Sequence, residues 1–497
     1  MISLSAVIIL ILWGLLLYRL FKTRSKYREI GFVGFAMIIA FLVARASLHI
    51  EVILYVEMWL LYFFVLYKLF KKKSIYAPIF LLCCAALNYR LPLFFGYEGR
   101  LFEAGLVFCI SISIADYLFK RKEKKKYDRL IWKGVFIYYL LILASVLTRG
   151  NFDRVPTMIY VMIDQSFVFF ITIQCLKDKK DLMTLLKGLT FAACLIGIIA
   201  LVGYAVNDPW WGQHVYDNSK IMDARDPYLP YKTQVRLSGQ YEGRVTSTAS
   251  NANALGATMA MCFPIAAFLL YRSRGPREIA LMAIALAIIV ISFFLASSRS
   301  AFIAGIIGLL LLISGIIFHK RHKRWSGRKI VTLLIMFFVV LGISSSAYFS
   351  GQMYHRLASI HSAADILDAG DRAVRWHREL SNLDLFYFII GRGVPGSEGY
   401  GGAHSNYLGI VYAGGLFALI GFLVVFLRAI KNALRMEDRF MGFCLFVSLS
   451  IFGIDGITQE SCFHHGPAFV FWSIVAILAA YVFREKSQPV IGNNIGV

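Results

Sequence analysis

The chain has 497 residues, of which 59% are hydrophobic, with a mean hydropathy of +0.66 and a formal net charge of +23. Soluble domains sit at roughly 45–50% apolar, so an ordinary soluble fold is excluded. The cations lie between apolar runs rather than in one patch, which argues against a nucleic-acid partner. The eight Cys lack CxxC pairing, and Cys83, Cys84, Cys109 and Cys194 lie inside apolar runs as small core residues rather than disulfides or metal ligands.

Apolar runs follow one another near 2–18, 30–45, 52–67, 75–88, 101–119, 131–148, 155–176, 184–206, 251–271, 278–297, 301–318, 330–348, 404–427, 440–456 and 465–483. Many approach the ~20 residues that cross the hydrocarbon core as a helix. The reading is an all-α, polytopic integral membrane protein in one transmembrane domain, with about fifteen (13–15) helices. The runs near 30–45, 52–67 and 75–88 are short, and their boundaries are the least defined. The first run lacks a basic flank and a small-residue cleavage site, so no cleavable signal is expected.

Basic clusters such as Lys71–Lys73, Lys120–Lys126 and Lys320–Arg324 occupy every second linker, so 36 of the 52 Lys and Arg fall on one side and 16 on the other. By the positive-inside rule the richer side is cytoplasmic, with the N-terminus outside and the C-terminus inside. The excess charge is then topological, with attraction to anionic membrane lipids as a secondary effect. Of the 16 outer cations, 14 are Arg, and only Lys220 and Lys232 are Lys. Guanidinium groups bind phosphate bidentately, so an Arg-dominated outer face suggests a phosphorylated ligand. Pairing with loop carboxylates is the alternative.

Two long outer loops interrupt the runs, at about 207–250 and 349–403. The first carries Trp210, Trp211, Tyr216, Tyr228, Tyr231 and Tyr241, suited to stacking on sugars or to anchoring at the interface. In the second, Leu357, Ile360, Ala364 and Leu367 recur at helical spacing, and Val374, Leu380, Leu383 and Phe386 suggest another amphipathic piece, together forming a surface lid. The loop ends in Gly391-Arg392-Gly393-Val394-Pro395-Gly396, either a phosphate cradle or a plain turn back into the next helix. Glu57 and Asp164 lie within apolar runs, where each pairs with an Arg or lines a cavity. Asp455, Glu460, His464 and His465 cluster in the last outer loop without an established metal-ligand spacing.

Three positions share one predicted geometry. Arg244 precedes the run that begins near Asn251, Arg299 sits in Ser297-Ser298-Arg299-Ser300 between two runs with almost no linker, and His404 opens His404-Ser405-Asn406-Tyr407. Each lies at the outer start of a descending helix, where unpaired N–H groups and the helix dipole favour an anion. Ser and Asn at these starts also read as N-caps. If the starts converge, two guanidiniums, three helix ends and an imidazole surround one pocket, a field that matches a diphosphate.

The block Arg244–Gly256 (RVTSTASNANALG), the Ser297–Ala301 turn and the stretch GRGVPG…AHSNYLGIVYAGGLFALIGF resemble the O-antigen ligase and O-antigen polymerase superfamily, over about residues 240–430. In the ligase signature, His404 and Ser405 are followed after nine residues by Gly415, but Ala418 stands where that signature has Gly, Thr or Tyr. Arg372–Trp376 (RAVRW) resembles the pattern preceding the GxG turn in polymerase-type members. The resemblance implies a GT-C-like fold and a metal-independent inverting glycosyltransferase without cofactor, in the bacterial inner membrane. Its donor is a glycan on undecaprenyl diphosphate at the periplasmic face, and its acceptor a glycan or lipid A core. A chain-length regulator or other polysaccharide export proteins are its candidate partners. Carried over, Arg244 and Arg299 hold the diphosphate and His404 activates the acceptor hydroxyl or holds the phosphate. Asn253, Arg372, Arg375, Ser405 and Asn406 are the expected substrate-binding residues. The long second loop favours a polymerase. A lipid-linked oligosaccharide flippase is the alternative class, though neither paired half-repeats nor broken helices are apparent in the sequence.

Overall fold

The computed structural model describes residues 62–67, 75–87, 90–92, 98–100, 109, 127–148, 168–205, 252–296, 298–320, 376–377, 381, 384–393, 405–459, 461–463 and 465–485. The runs near 2–18, 30–45 and 330–348 lie outside these residues, as does nearly all of that near 101–119. So do Glu57, Asp164 and the loop 207–250. Nearly all described residues belong to the compact unit formed by Leu66–Arg90 and Arg100–Val497.

The architecture is helical: α1 Tyr76–Leu87, α2 Arg129–Thr148, α3 Lys179–Ala205, α4 Ala252–Arg272, α5 Pro276–Leu295, α6 Arg299–Lys320, the short α7 Leu385–Ile390, α8 Asn406–Leu434, α9 Arg439–Thr458 and α10 His465–Glu485, with a 3₁₀ turn at Ser461–Phe463. Two three-residue strands, Arg90–Pro92 and Glu98–Arg100, pair with each other. Among the described residues, six helices (α2, α3, α4, α5, α8 and α9) are long and apolar enough to cross a membrane. In hydrocarbon only a helix satisfies every backbone polar group within its own segment. The bundle also exposes large apolar side chains, among them Phe136, Ile284, Leu310 and Leu427. An exterior of this kind is stable against lipid and not against water.

Helix α4 is the hub, buried along nearly its whole length and touching α3, α5, α6, α9 and α10. Its Ala and Gly residues allow this, because lipid supplies no hydrophobic drive between helices and close backbone approach must do so. The same logic holds α2 to α8, where a Cβ at Gly134 would stand 2.6 Å from Val425 Cγ2. Aromatic rings fill the interior between α2, α8, α9 and α10: Tyr138, Phe422, Phe452, Phe471 and Trp472 pack together, with Phe452 and Phe471 stacked at 4.2 Å.

Helix ends sort into two sets. At one end, Asp128 before α2 accepts hydrogen bonds from Arg428 Nε at 2.8 Å and Asn432 Nδ2 at 2.9 Å near the end of α8. Its backbone N–H donates to the Ala479 carbonyl of α10 at 2.9 Å. There too Arg272 pairs with Asp438, and Lys187 with Glu278 at 2.7 Å. The starts of α4, α6, α8 and α10 lie at the other end. This grouping agrees with the alternation read from the basic linkers for these helices.

Burial draws the Asp128 carboxyl upward, but bonds from Asn432, Arg428 and the Leu130 N–H, with the Arg428 charge, outweigh it and hold it below the usual carboxylate range. A depressed carboxylate contributes its stability above its unfolded value of about 4 and loses it as pH falls through the folded value. Asp128→Asn is therefore expected to lower Tm at pH 7 and to flatten the Tm decline of the wild type below about pH 4, measured by thermal unfolding in detergent.

Helix α8 is broken, contrary to the sequence reading, which saw no interrupted helix. Gly415 has φ 77° and ψ −176°, a conformation for which glycine is needed. The break frees carbonyls that a continuous helix would satisfy internally. The turn after α7 takes them up: Arg392 N donates to Tyr412 O and Gly393 N to Ala413 O at 3.2 Å. Gly391 and Gly393 both have positive φ, and the missing side chain at Gly391 lets it lie against Gly414 and Gly415. The glycine segment at 391–393 is thus a re-entry turn, and two of its N–H groups are spent on the protein rather than offered to phosphate. Phe386, expected in an amphipathic lid helix, belongs to α7, which packs on α8.

Candidate functional site

Three of the helix starts singled out in the sequence gather around the turn between α9 and α10. Ser298 caps α6: its carbonyl accepts from Phe302 N at 2.9 Å and its hydroxyl from Ala301 N at 3.5 Å. A serine oxygen beside the first N–H groups of a helix is the expected cap. Arg299, half-buried, is the first residue of α6. The first turn of α4 lies directly against this start, since a Cβ at Gly256 would stand 3.0 Å from Ala301 Cβ and 3.1 Å from Ser298 Cβ.

Asn253, on that same turn, donates through Nδ2 to Gln459 Oε1 at 3.1 Å. Gln459 follows the last residue of α9. The start of α8 joins the cluster from its other side. Ser405 occupies the N-cap position, but its side chain makes no capping bond; its hydroxyl donates instead to the Gly456 carbonyl at 3.4 Å. Asn406, 1% exposed, accepts through Oδ1 from Cys462 N at 2.7 Å. The Tyr407 hydroxyl donates to the Gly453 carbonyl at 2.9 Å. Ser405 and Asn406, read from the sequence as substrate contacts, thus fasten α8 to α9 and to the 3₁₀ turn. A Cβ at Gly456 would run into Asn406 Nδ2, so Gly456→Val is expected to displace the Asn406 side chain and lower Tm by several degrees, checked by thermal unfolding in detergent.

Asp455 lies inside α9 with 0% exposure and accepts a hydrogen bond from Ser461 Oγ. It therefore braces the turn. Gln459 and Ser461 were not singled out by the sequence reading. The only signal available was a polar stretch between two apolar runs, with no spacing that marks a function.

Four helix N-termini (α4, α6, α8 and α10), each with a partial positive charge near its first turn, share this end with the C-termini of α5 and α9, whose carbonyls carry the opposite partial charge. Beneath Arg299, α4, α5 and α6 enclose an apolar cleft lined by Met259, Phe263, Phe293, Gly305, Ile306 and Leu309. Gly305 lies six residues beyond Arg299, about 9 Å along the helix axis. The cluster also contains an incompletely satisfied group. Gln459 is 3% exposed, and its Nε2 finds no acceptor among the described residues. A buried donor left in that state costs roughly 1–3 kcal/mol.

Arg244, His404, Arg372 and Arg375 lie outside the described residues, as do Glu460 and His464. Asn253, Arg299, Ser405 and Asn406, four of the eight site residues expected from the sequence, are among the described residues and lie at the starts of α4, α6 and α8. No protein-family model matches the chain, and no curated protein matches it at a significant level.

Proposed function

We propose that the protein is a membrane glycosyltransferase that moves a glycan from undecaprenyl diphosphate to an acceptor sugar hydroxyl, at the outer, periplasmic face of the bacterial inner membrane. The observation that carries this reading is the gathering of the α4, α6 and α8 starts, with Arg299 at the head of α6, around one buried polar turn. Positive helix ends and a guanidinium form a field for an anion. The apolar cleft below suits the hydrocarbon tail of a lipid-linked donor. The alternation of basic linkers supports an outer position for this end.

In this reading the acceptor oxygen attacks the anomeric carbon as the bond to the diphosphate oxygen breaks, inverting the carbon. Negative charge grows on the departing diphosphate, and Arg299 with Arg244 neutralises it. His404, which directly precedes Ser405 in the chain, takes the proton from the acceptor hydroxyl or holds the phosphate. An imidazole with an ordinary pKa near 6.5 is suited to that transfer at neutral pH. Arg372 and Arg375 add contacts to the anionic donor, while Asn253, Ser405 and Asn406 hold the helix starts in register.

The break in α8 favours a second reading, a lipid-linked oligosaccharide transporter, because interrupted helices recur at transporter sites. Here, however, the freed carbonyls are capped by the protein's own Arg392 and Gly393 N–H groups. Gel analysis of glycans from a deletion strain separates the readings. Lipid-linked long chains with bare acceptor indicate a lost ligase, and single repeats on the acceptor a lost polymerase. Single lipid-linked units trapped on the cytoplasmic leaflet would reject the transferase in favour of transport.

A further inference from the structure

The turn after α7 is set below the ends of its neighbours, and two helices measure the depth. Gly391 lies against Gly414 and Gly415 of α8, and the next two residues bond to the Tyr412 and Ala413 carbonyls. These α8 residues stand about 9–14 Å along the axis from Asn406, the first residue of the helix. On the α2 side, a Cβ at Gly414 would stand 3.2 Å from Ile142 Cα, and Ile142 is about 9 Å from the last residue of α2. Both helices are long and apolar enough to cross a membrane, and α2, about 30 Å long, matches the hydrocarbon core. The end of α7 therefore lies at the depth of acyl chains rather than of water.

Its chemistry fits that depth. The helix reads Leu385-Phe386-Tyr387-Phe388-Ile389-Ile390, without the charged face of a helix that rests on a membrane surface. Asp384 Oδ1 accepts from Tyr387 N at 2.8 Å, and Gly391 N donates to Tyr387 O at 2.8 Å, so both ends are closed within the protein. A six-residue helix is about 9 Å long, enough to carry the exposed Asp384 back toward the level at which α8 begins. Gly391 and Gly393 are buried, as irregular backbone must be at membrane depth. The Arg392 guanidinium lies over the rings of Tyr387 and Tyr412, 5.1 and 5.8 Å from their centres, which offsets part of the cost of its charge. What faces outward is apolar. Leu385 is 75% and Phe386 58% exposed, on a helix packed against α8, which itself exposes Phe417, Ile420 and Leu427.

We propose that α7 and the turn 391–393 form a re-entrant membrane element, with Leu385 and Phe386 packed against lipid acyl chains in the leaflet at the end of the bundle where α8 begins. Its partner is the bilayer itself. In the topology read from the basic linkers that leaflet is the outer one, and the inference does not depend on the transferase reading.

The test uses the full chain in lipid nanodiscs as Leu385→Cys and Phe386→Cys, each spin-labelled, with wild type as the background. Among the described residues the native Cys are buried, apart from the half-buried Cys83. Exposed positions tolerate such substitutions, and the second variant serves if the first fails to fold. Electron-spin power saturation then compares collisions with oxygen, which concentrates in hydrocarbon, and with a nickel chelate confined to water. Leu427→Cys on the exposed face of α8 gives the lipid reference, and Lys180→Cys, exposed in the first turn of α3, gives the water reference. Labels at 385 and 386 are expected to follow Leu427→Cys, with oxygen dominant and nickel suppressed. Nickel dominance, as at Lys180→Cys, would place α7 in water and overturn the proposal. Suppression of both reagents would show a cover of protein in place of lipid, and overturn it equally.

Discussion

Arg299→Ala is expected to leave the protein in the membrane at normal abundance and to abolish high-molecular-weight glycan in cells. Arg299 sits at the first position of α6, where the helix already supplies positive charge at its unpaired N–H groups. A guanidinium there adds a full charge and a planar pair of donors. Losing two charge-assisted bonds to a departing diphosphate, at roughly 1.5–3 kcal/mol each, slows the reaction by about 10²–10⁴-fold. Arg299→Lys keeps the charge and loses the fork, so it is expected to retain a small fraction of the product. Glycan gels on a deletion strain complemented with each variant, with immunoblots of the membrane fraction, give the answer. A wild-type ladder from Arg299→Ala would remove Arg299 from the site.

Gly415→Val carries the largest expected effect on folding. The residue adopts φ 77° and ψ −176°, a region essentially closed to residues with a Cβ, and a Cβ there would press into the Ile389 carbonyl. Strain of about 1–3 kcal/mol adds to the loss of the docked turn, whose two N–H groups then leave the Tyr412 and Ala413 carbonyls unsatisfied in an apolar setting. A total of roughly 3 kcal/mol or more is a large share of the stability of a folded domain. Fluorescence-detected size exclusion should show loss of the monodisperse peak. Gly421→Ala in the same helix, where a Cβ meets nothing nearer than 3.8 Å, should leave the peak intact.

Among the described residues, the long helices were legible because apolar run length and basic linkers encode them directly. The run read at 278–297 is Pro276–Leu295, and that at 440–456 is Arg439–Thr458. The break at Gly415 was not legible. Gly414-Gly415 in an apolar run is compatible with close packing in an unbroken helix, and only the arriving turn at 391–393 shows where the freed carbonyls are satisfied. Ser405 illustrates a second limit. Its type and position marked an N-cap, yet a carbonyl on α9, brought close only by tertiary packing, draws its hydroxyl away. Gln459 illustrates a third, since an amide at the end of a run looks like ordinary interfacial polarity until its partner 206 residues earlier is in place.

The clasp at Asp128 bears on how such a chain is made. Synthesis delivers Asp128 to the bilayer surface with α2, but Arg428 and Asn432 emerge 300 and 304 residues later, and Ala479 later still. Until α10 has been inserted, the carboxylate remains hydrated and α2 is held only by its apolar faces. The clasp therefore acts as a late latch, formed only when α10 has arrived. A ribosome stalled within α10 would leave an unlatched bundle open to membrane proteases.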